Sequence, residues 1–198
     1  MKSRFIVFEG IDGSGKSVPS DKLIAYLEAA NIPVWRTKEP TREEPYGARI
    51  WRILCLEEPG LPAAELQTLY IKDREKHSQD ILEHLKKGEW VLCDRYWYST
   101  VAYGVAEGLS FDEWIEKNRY FPVPDLAFYF DVPAEEAMRR IEKRELDKRY
   151  FEKLEKLKKV REVYLKLVER QKEFHLIDNT PPPDQVFKEV LKRVQPLL

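Results

Sequence analysis

The chain alternates short apolar runs with longer segments of helical periodicity. Runs at Arg4 to Glu9, Pro33 to Thr37, Glu89 to Asp94, Asp125 to Asp131 and Phe174 to Ile177 are too short, and too rich in β-branched and aromatic residues, for free-standing helices; they predict five strands. The stretches between them supply crossover helices, the first carrying Leu23, Ile24 and Leu27 at helical spacing. Strand and helix in alternation is the sequence form of a parallel sheet with helices on both faces, so an α/β fold is expected. Thr180-Pro181-Pro182-Pro183 stops the last strand, and Val186, Val190, Leu191 and Val194 then mark a closing helix expected to lie as a lid on the sheet. From Ala134 to Lys172 the chain is helical and densely charged, with its weakest helix signals near Asp147 to Phe151. No repeat or linker divides it, so residues 1–198 are expected to form one domain.

Charge changes this picture by exclusion. Lys and Arg total 34 against 35 Asp and Glu, a formal net charge of -1, so no global basic field points to nucleic acid or an anionic membrane. Any bound anion must be held locally. The longest apolar runs fall far short of the roughly 20 residues that span a bilayer. Glu9 interrupts the first of them too early for a signal peptide, which makes the cytoplasm the expected location. Cys55 and Cys93 have neither CxxC spacing nor nearby histidines, and both are expected to be small core residues.

The local anion site is legible. Gly10-Ile11-Asp12-Gly13-Ser14-Gly15-Lys16-Ser17 matches G-x-x-x-x-G-K-[ST] and sits between a predicted strand and a predicted helix, the context that the motif requires. Glycines let backbone N–H groups turn inward around phosphate oxygens, and the helix amino terminus adds partial positive charge. The loop implies ATP as phosphate donor, with Lys16 reaching the β and γ phosphates and the Ser17 hydroxyl completing a Mg²⁺ shell. Val18 and Pro19 follow where a second hydroxyl residue commonly contacts the α phosphate. Proline is tolerated in a first helical turn. Valine cannot hydrogen-bond phosphate, which predicts weakened nucleotide contact.

Trp90-Val91-Leu92-Cys93-Asp94 is an apolar strand ending in a carboxylate, which would place Asp94 beside Mg²⁺ at the carboxyl edge of the sheet with Arg95 in the same crevice. Arg42, Arg74 and Arg95 all fall near that edge and suit an acceptor that already carries a phosphate; surface ion pairing is the competing reading, above all for Arg42 beside Glu43 and Glu44. A phosphate acceptor is already nucleophilic and needs positioning and charge neutralisation, without a general base. A hydroxyl acceptor would need one, and Glu39 is the candidate.

These residues resemble the thymidylate kinase family over nearly the whole chain. The resemblance is carried by FEGIDGSGKS (Phe8 to Ser17), KEPTR (Lys38 to Arg42), LYIKDREKH (Leu69 to His77), CDRYWYSTVAYG (Cys93 to Gly104), PDLAFYFDVPAEEAMRRI (Pro124 to Ile141) and IDNTPP (Ile177 to Pro182). It implies a P-loop NTPase-type sheet with a short helical lid, and transfer of a phosphoryl group from ATP to dTMP. It further implies that Asp12 contacts the sugar 3′-hydroxyl, that Arg42 and Arg95 hold the acceptor phosphate, and that Tyr70 stacks on thymine. Arg74 would donate to a thymine carbonyl, Thr100 would contact the base, and Tyr103 would exclude a ribose 2′-hydroxyl. A homodimer is implied as well.

The family's lid closes basic residues over ATP, and here it would span about residues 140–153. Arg140, Arg144 and Lys148 are four apart, on one helical face, with Arg149 in the apparent break. A solvated, salt-bridged face is the alternative. The phosphate loop contains no arginine, which makes Arg144 or Arg149 the expected catalytic cation. Val18-Pro19, Lys38 where arginine is common, and Gly104 directly after Tyr103 depart from the family pattern. They leave open a kinase for another nucleoside monophosphate or a deoxynucleoside, or a weakly active nucleotide-binding paralogue.

Overall fold

A computed structural model describes residues 2–142 and 150–198. Strands β1 (Phe5–Glu9), β2 (Val34–Lys38), β3 (Trp90–Asp94), β4 (Leu126–Asp131) and β5 (Phe174–Asp178) form one parallel sheet in the order β2-β3-β1-β4-β5. The connecting helices are α1 (Ser17–Ala29), α2 (Gly47–Leu54), α3 (Ala63–Lys86), α4 (Trp97–Ala106), α5 (Phe111–Asn118), α6 (Ala134–Glu142), α7 (Tyr150–Arg170) and α8 (Pro183–Val194). The predicted α/β architecture is present, and each strand lies within a residue or two of its expected bounds.

Position in the sheet explains the composition of each strand. β1 and β4 are flanked on both sides, and β1 is buried along its whole length as Phe-Ile-Val-Phe-Glu. The edge strands β2 and β5 keep partly exposed polar residues such as Arg36 and His175, as strands with a solvent side do. Alternate residues face opposite cores. Phe5, Val7, Val91, Cys93, Ala127 and Tyr129 pack with α4 and α7 on one face, while Ile6, Phe8, Trp90, Leu92, Phe128 and Phe130 pack with α1 and α8 on the other.

The closing helix α8 puts Val186, Val190 and Val194 against Leu23 and Leu27 of α1 and against β5. Cys93 is buried as expected, but Cys55 is exposed. The reason is local: α2 turns Ile50 and Ile53 inward, and Cys55 is the first residue beyond the helix. None of the described helices is long and apolar enough to cross a membrane.

The chain departs from β1 to β2 on one side and reaches β4 on the other, so the crevice beyond the carboxyl ends of β1 and β3 is a topological switch point, where open α/β sheets bind ligands. Phe8 pairs with Asp94 across β1 and β3, which sets the carboxyl ends of both strands side by side at that crevice.

Candidate active site

The phosphate loop runs from β1 into α1. Gly13 and Gly15 adopt φ of +80° and +82°, a region costly to residues with a Cβ, and a Cβ on Gly13 would stand 2.3 Å from the carbonyl oxygen of Ala137 in α6. The loop is fastened from behind. Arg140 Nη1 and Asn179 Nδ2 both donate to the Ser14 carbonyl, at 2.8 and 2.6 Å, and Arg140 also meets Glu136 at 2.9 Å. These bonds anchor the loop; its Ser14 N–H donates to the Ile11 carbonyl at 3.0 Å, and the N–H groups of Gly13, Gly15 and Lys16 are left for an anion. Arg140, expected among the lid cations, is thus engaged by the loop itself.

Lys16 Nζ lies 3.3 Å from Asp94 Oδ1, a buried oxygen that accepts no hydrogen bond among the described residues. Burial and the neighbouring Arg95 pull the Lys16 ammonium below its usual pKa, while Asp94 and Asp12 oppose them. Val18 is 44% exposed in the first turn of α1 and Pro19 is buried at the third position, where no helical N–H bond is lost.

Arg95 sits at φ +68°, an uncommon conformation for a side chain of its size, and turns its guanidinium into the crevice. Its Nη2 meets Asp12 Oδ1 at 2.6 Å, its Nη1 meets Ser99 Oγ at 3.1 Å, and the group lies over the Tyr103 ring at 5.5 Å. Burial opposes ionisation of Asp12, but Arg95 and Lys16 outweigh it and hold the carboxyl below the usual range. Sequence reasoning used Glu9 only to exclude a signal peptide. In the fold its carboxylate is fully buried and accepts from Tyr96 N at 2.7 Å, Ser99 N at 3.2 Å, Ser99 Oγ at 2.6 Å and Tyr164 Oη at 2.8 Å. Tyr96 is the residue before α4 begins, so Glu9 caps that helix from the end of β1.

Beside this crevice opens a cleft of about 540 Å³ whose walls include Asp12, Asp94, Arg95, Tyr70, Thr100 and Tyr103, which gathers most of the expected acceptor residues in one place. Tyr70 lines it with its hydroxyl pKa pushed up to about 12 by burial. The Tyr103 hydroxyl is buried with no hydrogen-bond partner among the described residues.

Two of the arginines lie differently from the rest. Arg74 is fully buried behind the wall, its Nε on Glu39 at 2.8 Å, its Nη1 on Asn118 at 2.7 Å and its Nη2 on Thr100 Oγ1 at 2.9 Å. Arg42 is exposed, its guanidinium 4.8 Å from the ring centre of Trp51, a cleft residue that Lys38 Nζ also approaches at 4.8 Å. The loop carrying Arg42 is tied to α3 by Asp73, which accepts from Thr41 N at 2.8 Å and Thr41 Oγ1 at 2.5 Å.

Glu39, the candidate base, holds Arg74 with one oxygen and His77 Nδ1 at 3.0 Å with the other. Both oxygens are engaged, an arrangement suited to an acceptor that needs no base. On the lid side, Arg144, Lys148 and Arg149 lie outside the described residues. Lys153 and Lys156 of α7 do line the cleft, and Lys156 pairs with Glu107 at the end of α4. Neither lysine, nor Trp51, Gln67 or Asn118, was singled out from the sequence. An isolated polar residue on a long amphipathic helix gives no signal of the wall that it will face.

A parallel sheet with an anion loop, an acidic strand end and an adjoining enclosed cleft defines the class: P-loop kinases with a second site for a phosphorylated acceptor. The model of the thymidylate kinase family matches residues 8–190, and the chain belongs to that family. It is 36% identical to a probable thymidylate kinase of Pyrococcus abyssi, over 98% of this chain and 97% of that protein. It is 38% identical to a thymidylate kinase of Leptospira borgpetersenii over 96% and 93% of the two chains, and 39% identical to a probable thymidylate kinase of Methanococcus maripaludis over 97% and 95%.

Proposed function

We propose that this chain transfers the γ-phosphoryl group of ATP to dTMP, giving ADP and dTDP. The observation that carries the reading is the junction of the two sites: Lys16 of the phosphate loop, Asp94, and the Arg95–Asp12 pair of the acceptor cleft meet at one sheet edge. In-line attack requires donor and acceptor phosphates to face each other at that point. Lys16 would neutralise the donor's terminal phosphates, Arg95 would hold the acceptor phosphate, and Asp12 would take the sugar hydroxyl. Arg42, beyond the wall, would reach the same phosphate across Trp51. Tyr70 and Thr100 would meet the base, Arg74 would act on it through Thr100, and Tyr103 would crowd the ribose 2′ position.

The residues present fit a Mg²⁺ ion. Asp94 Oδ1 is buried and lacks a hydrogen bond, and Ser17 follows Lys16 at the start of α1. Asp94 and Ser17 would hold the ion with ATP oxygens, and it would supply charge neutralisation between the donor phosphates. The lid at about residues 140–153, a homodimer and a cytoplasmic setting complete the proposal, with size by light scattering as the check on the dimer.

ADP formation from Mg·ATP should be measured against dTMP, dUMP, UMP, CMP, AMP and thymidine, with Lys16→Ala as control. Turnover highest with dTMP and abolished in the control is the expected result. Absence of acceptor-dependent turnover would leave a nucleotide binder, and preference for thymidine would return Glu39 to consideration as a base.

A further inference from the structure

Of the polar side chains lining the acceptor cleft that this scheme leaves unused, Gln67 stands beside the proposed base contacts. Gln67 lies on α3 three residues before Tyr70, so the two share a helix face, and both line the cleft. Gln67 is 4% exposed, yet neither polar atom of its carboxamide is among the fully buried unpaired ones, and with no hydrogen bond to the described residues the group opens onto the cleft. Its route into the cleft passes over Gly104 of α4: a Cβ there would stand 3.2 Å from Gln67 Cγ and 3.8 Å from Cδ. Glycine at 104 thus leaves the room that the longer side chain from α3 occupies. An amide that opens onto a cleft is placed to take its partners from a ligand there.

We infer that Gln67 reads the base of the acceptor, accepting from the ring N3–H of a pyrimidine at Oε1 and donating from Nε2 to the adjoining carbonyl. The inference rests on the dTMP reading above. Its neighbours supply the other half of the edge. Thr100 Oγ1 accepts from Arg74 Nη2 at 2.9 Å, which leaves the threonine hydroxyl proton for a second ring carbonyl. Arg74 offers donors alone; Thr100 Oγ1 keeps one lone pair, but with its proton on a ring carbonyl the neighbouring N3–H is better met by a separate acceptor. Glu39 is engaged by Arg74 and His77. The Gln67 carboxamide provides an acceptor and a donor side by side, the complement of N3–H next to a carbonyl.

The test compares dTMP with N3-methyl-dTMP in the wild type, Gln67→Met and Gln67→Ala. Methionine nearly matches glutamine in volume and keeps the packing over Gly104, while alanine leaves space for the added methyl. The expected result is a rise of about tenfold in KM for dTMP in both variants, with KM for ATP unchanged. The preference for dTMP over its N3-methyl analogue should fall by a similar factor. A packing role would weaken both acceptors alike and leave the preference intact, which would overturn the inference while wild-type dTMP turnover upheld the proposed function. A wild type that ignores dTMP would overturn both.

Discussion

Val18 is the residue at which the phosphate loop departs from its usual chemistry, and its exposure states the consequence. An apolar side chain 44% exposed in the first turn of α1 offers nothing to a phosphate oxygen. Val18→Thr keeps the β-branched shape and adds one hydroxyl, so it is expected to lower KM for ATP several-fold, up to about tenfold for one added hydrogen bond. Steady-state kinetics at saturating dTMP would check it, and an unchanged KM would place the α phosphate away from this turn. Arg74 illustrates the opposite case, a charge committed to the fold. Its guanidinium and the Glu39 carboxylate are both almost fully buried, 2.6 Å apart. Removing one partner of such a pair leaves the other as a desolvated charge, so Arg74→Met is expected to lose about 3–5 kcal/mol in urea denaturation. A loss below about 1 kcal/mol would show that His77 alone suffices for Glu39.

At the level of elements, Glu9 joins β1 to α4 and so ties the phosphate loop to the arginine of the acceptor side. Burial pushes its carboxyl above the ordinary value of 4.5, against the opposing pull of Arg95 and its hydrogen bonds to Ser99, Tyr164 and Tyr96. Because the folded pKa is raised, the unfolded chain ionises first as pH increases. The group's contribution to stability is therefore complete below about pH 4.5 and declines as pH climbs through the folded value. Glu9→Gln cannot titrate. The melting temperature of wild type minus that of the variant is expected to fall as pH rises from 4.5, and a difference that grows instead would mean the four donors keep the carboxylate ionised in the fold.

At the scale of the whole molecule, the features readable from sequence were those written in periodicity or contiguous spacing. Alternating apolar runs marked every strand of the sheet, and Gly10 to Ser17 named its anion site, because loop, strand and helix are contiguous there. Arg74 was legible as part of a cleft but not as a buried counter-ion, since Glu39, Thr100 and Asn118 come from three distant parts of the chain. Cys55 shows the limit of composition: its type favours burial, and the end of α2 overrides it.

The same scale decides where the cation for the transferring phosphoryl group must come from. A net charge of -1 supplies no general attraction, so the terminal phosphate depends on cations brought to one place. Lys16 approaches from below, while Arg140, although it faces the loop, is bound to the Ser14 carbonyl. Lys153 acts on Asp12 and lines the cleft from α7, while Lys156 is paired with Glu107. Under the proposed lid reading the remaining charge is expected from Lys153 and from Arg144 or Arg149, the last two lying outside the described residues. Alanine at Arg144 or Arg149 is expected to lower single-turnover kcat by about a hundredfold at one of the two positions, the value typical of removing one donor to the developing charge. Lys153→Met should lower it less, since a flexible ammonium makes no bidentate contact. Arg140→Ala should instead raise KM for ATP, because it loosens the loop without touching the phosphoryl group. If Arg140→Ala alone suppressed kcat while the other three left it intact, the loop's own support, and not the lid, would carry the transition-state charge.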